Sequence, residues 1–159
     1  MNMYHFGTQS KEVLDTVSDY LVLTAELTIS HSKMDISVPE WGGLRTAKYQ
    51  NKLFNKEWSK ADGYNKLSKH QLKDKDGKSL ALDLCGYYKG EQTWNKGRLG
   101  YIAALMHTYF HYLKEVGRIP DNLHLHCGAF WTPSENDNDG IGWDAAHYEL
   151  RSTPQIVRI

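Results

Sequence analysis

Leu80-Ala81-Leu82-Asp83-Leu84-Cys85 constrains the fold more than any other stretch of the 159 residues. A short, nearly unbroken apolar run reads as a buried strand. A carboxylate inside such a run is costly to bury unless a cation or a set of hydrogen-bond donors meets it there. Asp83 therefore asks for partners from elsewhere in the chain, and the other elements have to deliver them.

Residues from about Lys11 to Ile29 read as a helix, with Val13, Leu14, Val17, Tyr20, Leu21, Thr24 and Leu27 near helical spacing. Asp35-Ile36-Ser37-Val38 alternates like a short strand that Pro39 ends. Trp41-Gly42-Gly43 is a turn, and Thr46 is placed to cap a helix carrying Tyr49, Gln50, Leu53 and Phe54. The clearest helix is Arg98 to Val116, with one apolar stripe through Ile102, Leu105, Met106, Tyr109, Phe110 and Leu113 and Gly117 beyond its end. Leu123–Phe130 and Ala146–Arg151 are the last two strands, separated by a loop rich in Asn, Asp and Gly. Residues 1–159 are thus expected to form a single α+β domain, a small, mainly antiparallel sheet packed against helices.

Nineteen Lys+Arg balance nineteen Asp+Glu, which argues against a nucleic-acid partner. Five Trp and ten Tyr argue against disorder. Cys85 and Cys127 form no CxxC unit and read as buried thiols. The N-terminus MNMYHFGTQSKEV has no apolar run, so no signal peptide is expected. The longest uncharged apolar stretch, Tyr101–Leu113, is shorter than the ~20 residues of a membrane span, so no membrane insertion is expected. The neutral total hides a segregation of charge. Arg45–Lys78 holds nine Lys and one Arg against four acidic residues, whereas Asp121–Glu149 has six acidic residues and no Lys or Arg.

Eight histidines prompt a search for metal ligands. His107 and His111 have helical i, i+4 spacing, but Thr108 stands where a zincin pattern has Glu, and both lie off the apolar stripe. His124 and His126 share one face of a strand, as a zinc pair or as ordinary packing. A third set is more informative: Ser68-Lys69-His70, the strand bearing Asp83, and Trp143-Asp144-Ala145-Ala146-His147-Tyr148-Glu149-Leu150. Together they supply two imidazoles and one carboxylate, a set that leaves the fourth position of a zinc ion open for water. Asp144, three residues before His147, is placed to act on that water as general base.

These segments, in this order, resemble the M15 family of zinc peptidases, the D-Ala-D-Ala carboxypeptidase and L-alanyl-D-glutamate endopeptidase group. The family's Ser-x-His-x-x-Gly-x-Ala-x-Asp motif is matched by residues 68–84 and its Asp/Glu-x-x-His by residues 143–150. Asp35–Val38 leading through Gly42-Gly43-Leu44-Arg45-Thr46 to Gln50 is similar to an upstream block of the family, so the resemblance runs from about residue 11 to 151. It implies an M15-like fold with a zinc site in a cleft on the sheet. It implies one zinc ion held by His70, Asp83 and His147, with Asp144 as base and Arg45 steadying the oxyanion. Ser68 and Glu149 match motif positions as partners that orient the ligands. Trp143 and Tyr148 are candidates to line the cleft, with core packing as the alternative. The chain departs from the motif in one respect. Twelve residues, Gln71 to Leu82, separate His70 from Asp83, more than the motif has, which makes Asp76 a rival ligand. Asp83 is preferred for its apolar strand context.

The chemistry implied is metal-assisted amide hydrolysis. A compact member of this kind looks most like a phage endolysin that cuts the L-Ala–D-Glu bond of the peptidoglycan stem, acting on the wall after release from the host cytoplasm. The Lys-rich segment would then either help to capture an anionic substrate or be a plain solvated loop, and the enzyme is expected to act as a monomer. Three alternatives stay open: a D,D- or L,D-carboxypeptidase removing terminal D-Ala, a catalytically inactive zinc-containing wall-binding domain, and a zinc lyase or hydratase built on His124 and His126.

Overall fold

The structure is a computed structural model that describes residues 3–131 and 141–153. Helix α1 spans Thr8–Leu14 and α2 spans Asp19–His31. Strand β1 (Asp35–Ser37) leads to helix α3 (Ala47–Asn55), and a 3₁₀ turn at Lys69–Gln71 precedes β2 (Ala81–Asp83). Strands β3 (Cys85–Tyr88) and β4 (Glu91–Thr93) form a hairpin before the long helix α4 (Lys96–Glu115). Strand β5 (Leu123–Cys127), a 3₁₀ turn at Gly128–Phe130 and β6 (His147–Ser152) complete the described chain.

The mixed α/β architecture expected from the sequence is present, with its antiparallel strands divided between two three-stranded sheets, β1-β3-β4 and β2-β6-β5. The run from Leu80 to Cys85 is where they divide. β2 ends at Asp83 and pairs with β6, and β3 starts at Cys85 and pairs with β1, so Leu84 carries the chain from one sheet to the other. The β3–β4 turn places Lys89 (φ 52°) and Gly90 (φ 84°) in the left-handed region, as a tight two-residue hairpin requires.

The segment expected as one helix from Lys11 to Ile29 is two. Thr16 Oγ1 bonds back to the Val13 carbonyl, and the Ser18 amide donates to Ser79 O instead of continuing a helical ladder. Hydroxyl residues of this kind give the backbone an alternative to the helix, and here the alternative is a bridge between Val17 and Ser79. Thr46 does cap α3, accepting the Tyr49 amide at 3.2 Å, and Asn95 caps α4 by accepting from Arg98.

The core lies between the helices and the inner faces of the strands. Leu21, Ala25 and Ile29 of α2 are buried together with Ile102, Met106 and Phe110 of α4. Leu82, Tyr148 and Leu150 cover the same core from the β2-β6-β5 sheet. Phe110 is 1% exposed, so Phe110→Ala should cost about 3–5 kcal/mol, read as a lower urea midpoint with unchanged slope.

The register of the second sheet positions the site. Asp83 lies opposite His147, and His126 lies opposite Glu149. Residues opposite one another, and residues two apart on a strand, point to the same face. One face of β2-β6-β5 is therefore apolar, through Leu82, Tyr148 and Leu150. The other carries Asp83, His147 and Glu149.

Candidate metal centre

His70 reaches Asp83 and His147 from outside the sheet. Ser68 caps the 3₁₀ turn at its N-terminus, its hydroxyl accepting from the His70 amide while Gln71 closes the capping box. Ser68 thus fixes the backbone that carries His70 and makes no bond to either imidazole. The His70 ring is 1% exposed, and its Nδ1 donates to the Gly43 carbonyl at 2.8 Å, which leaves the Nε2 lone pair facing inward. Nε2 lies 3.1 Å from Asp83 Oδ1 and 3.2 Å from His147 Nδ1, and His147 Nδ1 lies 3.0 Å from the same Asp83 oxygen. The three residues offer one ligand atom each, all within 4.8 Å of one another. Asp76, the rival to Asp83, is exposed in the turn that Asp74 braces by accepting from the Asp76 and Lys78 amides.

Each donor has an outer partner. His147 Nε2 meets Glu149 Oε2 at 3.2 Å, and Arg151 Nε holds the other Glu149 oxygen at 2.6 Å. Arg45 donates from Nη2 to Asp83 Oδ2 at 2.5 Å, from Nε to the Trp41 carbonyl and from Nη1 to Gln50 Oε1. Here, then, the guanidinium holds the Asp83 carboxylate and lines the cleft. Gln50, fully buried, is locked in turn by Ser59 and the Ala61 carbonyl. Such outer partners fix ring orientation and tautomer at metal sites.

The electrostatics follow from this packing. Burial would raise the Asp83 carboxyl, but the two imidazoles and the Arg45 guanidinium around it outweigh burial and hold the group well below the usual range. Burial shifts the His70 imidazole below its ordinary value, with the Asp83 charge opposing the shift. Burial also opposes charge on His147, yet its bonds to Asp83 and Glu149 push it up to about 10. Glu149 resists burial through His147 and Arg151 and sits at about 2. Asp144 behaves differently. Burial and the Asp83 charge raise it to about 6.

Asp144 lines the same cleft of about 600 Å³ as the three donors, beside Trp143. Its placement depends on a close backbone approach: a Cβ on Gly128 would strike the Asp144 carbonyl oxygen. Gly43 is similarly confined, because a Cβ there would strike Thr16 Oγ1 and come within 2.9 Å of the Val13 carbonyl. Gly43→Ala should therefore displace the acceptor of His70 Nδ1 and weaken metal binding roughly 10–100-fold, measured by chelator competition.

The other histidine pairs do not join this cleft. His107 and His111 sit on the exposed face of α4 with their Nε2 atoms 3.2 Å apart. His124 is exposed and bonds Thr153 Oγ1. Of the acidic residues noted in the C-terminal half, Glu135, Asp137 and Asp139 lie outside the described residues. Sequence reasoning missed Trp41, Trp58, Trp94 and Trp131, which all line the cleft. It also missed Lys60, whose ammonium lies 4.4 Å from the Trp143 ring centroid. Their one shared signal is position, each on a connection between elements.

The sequence matches the family described as phage L-alanyl-D-glutamate peptidase over residues 2–151. The chain belongs to that family. The resemblance drawn from its motifs is thereby borne out, and so is the expectation of a peptidoglycan-directed endopeptidase. Among solved structures, the L-Ala D-Glu endopeptidase ChiX of Serratia marcescens superposes with a TM-score of 0.63. The two are 20% identical, and the match covers 94% of this chain and 92% of ChiX, so the fold is shared over nearly the full length of both. No curated protein matches the chain by sequence. In this peptidase-family chain no described helix is long and apolar enough to cross a membrane.

Proposed function

We propose that this chain is a single peptidase domain that hydrolyses the L-alanyl–D-glutamate bond of the peptidoglycan stem peptide, using one zinc ion and Asp144 as general base. The observation that carries the reading is the convergence of His70 Nε2, Asp83 Oδ1 and His147 Nδ1 within 4.8 Å in a cleft that also holds Asp144. Two imidazoles and a carboxylate, each with an outer hydrogen-bond partner, fit the donor set of a catalytic zinc site with an open position.

When bound there, zinc supplies Lewis-acid polarisation of the scissile carbonyl and makes water acidic enough to attack near neutral pH. The chain's own residues do the rest. Asp144, raised to about 6, is ionised near neutral pH yet close enough to that range to exchange a proton in both directions. It takes a proton from the attacking water and returns it to the leaving nitrogen of D-Glu. Arg45 fixes the orientation of Asp83, and its positive charge in the cleft lining stabilises the carbonyl oxygen as negative charge develops. Glu149 and the Gly43 carbonyl hold the two imidazoles in the tautomers that direct His147 Nδ1 and His70 Nε2 inward.

The test is digestion of purified peptidoglycan with and without a chelator, the products being identified by mass spectrometry. A new D-Glu amino terminus that disappears with chelator is the expected result. Released D-Ala would instead mean a carboxypeptidase. No metal-dependent product would leave a wall-binding domain without activity.

A further inference from the structure

All five tryptophans of the chain line the cleft that holds the metal donors. They form two groups. Trp41 and Trp94 stack with rings 6.0 Å apart and 10° from parallel, and Trp58 lies 6.4 Å from Trp41. Trp131 and Trp143 form the second group, 5.6 Å apart, Trp131 also packing 5.7 Å from the His147 ring. These are not core residues: Trp58, Trp94 and Trp143 are 65%, 43% and 48% exposed. Large indoles gathered around one cleft and left open to solvent call for a ligand with flat apolar faces.

The stem peptide does not offer such faces near the proposed scissile bond, where L-Ala contributes a methyl and D-Glu a carboxylate. The glycan does. L-Ala is attached to the lactyl group of a muramyl residue, so a pyranose ring with apolar C–H faces lies one amino acid from the bond. The first tryptophan group is tied directly to the metal centre, because the Trp41 carbonyl accepts from the Arg45 group that holds Asp83. A cleft of about 600 Å³ also has room for more than a dipeptide.

Resting on the peptidase reading above, we propose that Trp41, Trp94 and Trp58 form a saccharide platform, and that the preferred substrate is a glycan-linked stem rather than free peptide. The enzyme then reads the sugar beside the bond as well as the bond.

The metal-loaded protein, Trp94→Ala and Trp94→Tyr are titrated with a peptide-free N-acetylglucosaminyl–N-acetylmuramic acid disaccharide, following tryptophan fluorescence. The wild type should respond saturably, Trp94→Ala should bind roughly tenfold more weakly, and Trp94→Tyr should recover part of the loss. In parallel, kcat/KM is compared for a muramyl-linked stem peptide and the same peptide without sugar. The wild-type ratio should be tenfold or more, falling towards one in Trp94→Ala. No response to the disaccharide together with a wild-type ratio near one overturns the platform, and so does a Trp94→Ala variant that keeps the full ratio. Disaccharide binding that depends on Trp94, in a protein that cleaves neither peptide, supports the platform and sinks the peptidase reading instead.

Discussion

Asp144→Asn should lower turnover of peptidoglycan by about 10²–10⁴-fold, the usual contribution of a positioned general base, while leaving the metal content of the protein unchanged. The two halves of this expectation rest on different geometry. Asp144 is not among the three converging donors, so its amide keeps the metal site whole. Among the described residues of the cleft, its carboxyl is the one acidic group that burial and a neighbouring charge raise, to about 6, whereas Asp83 and Glu149 are held low by their cationic partners. Asn preserves the shape and cannot accept the proton. The measurement is kcat on a soluble stem-peptide substrate alongside metal analysis of the same sample. Near wild-type turnover in a metal-loaded variant would remove Asp144 from the mechanism.

His147→Ala should abolish both metal binding and activity, a larger loss than the roughly 10–100-fold seen when an outer partner of a metal ligand is removed. The ring has two carboxylate neighbours, Asp83 on Nδ1 and Glu149 on Nε2, and without metal it keeps its proton up to about pH 10. A metal at Nδ1 must displace that proton. Because the metal-free form is the protonated one below pH 10, apparent affinity should rise about tenfold per pH unit as pH increases through neutrality, and fall correspondingly in acid. Chelator competition at several pH values gives the slope, and titration calorimetry in buffers of different ionisation enthalpy gives the proton count. A flat pH dependence would mean that His147 Nδ1 is not a ligand.

Much of the site was legible because its chemistry is carried by residue types that are out of place in their local setting. Asp83 stands out in an apolar strand, and Asp144 and His147 stand out at the start of the next buried one. The helices were legible for a similar reason: the stripe on α4 and the cap Thr46 are local signals, whereas the Asn95 cap that starts α4 before Arg98 was not read. Other features had no local signal. The break after Leu14 depends on Ser79, far along the chain, which offers its carbonyl to Ser18. The division at Leu84 depends on which strands arrive on each side, and a continuous apolar run looks the same in either case. Ser68 looked like an orienting partner of an imidazole, but a serine directly before a turn has its backbone closer at hand, and it caps that turn.

Residue chemistry and the family resemblance singled out His70, Asp83, His147 and Asp144, and the fold brings all four to one cleft. Which of their atoms meet, and what surrounds them, depended on contacts that sequence spacing does not encode. The cross-strand register sets Asp83 opposite His147 and aims both away from the core. The Gly43 carbonyl chooses the nitrogen that His70 presents, and Asp83 occupies an Arg45 that motif matching assigned to the substrate alone. Five tryptophans separated along the chain become one cleft. Donor identity is a property of single side chains, whereas orientation, protonation and cleft shape arise between residues distant in sequence, and these appear only once the chain is packed.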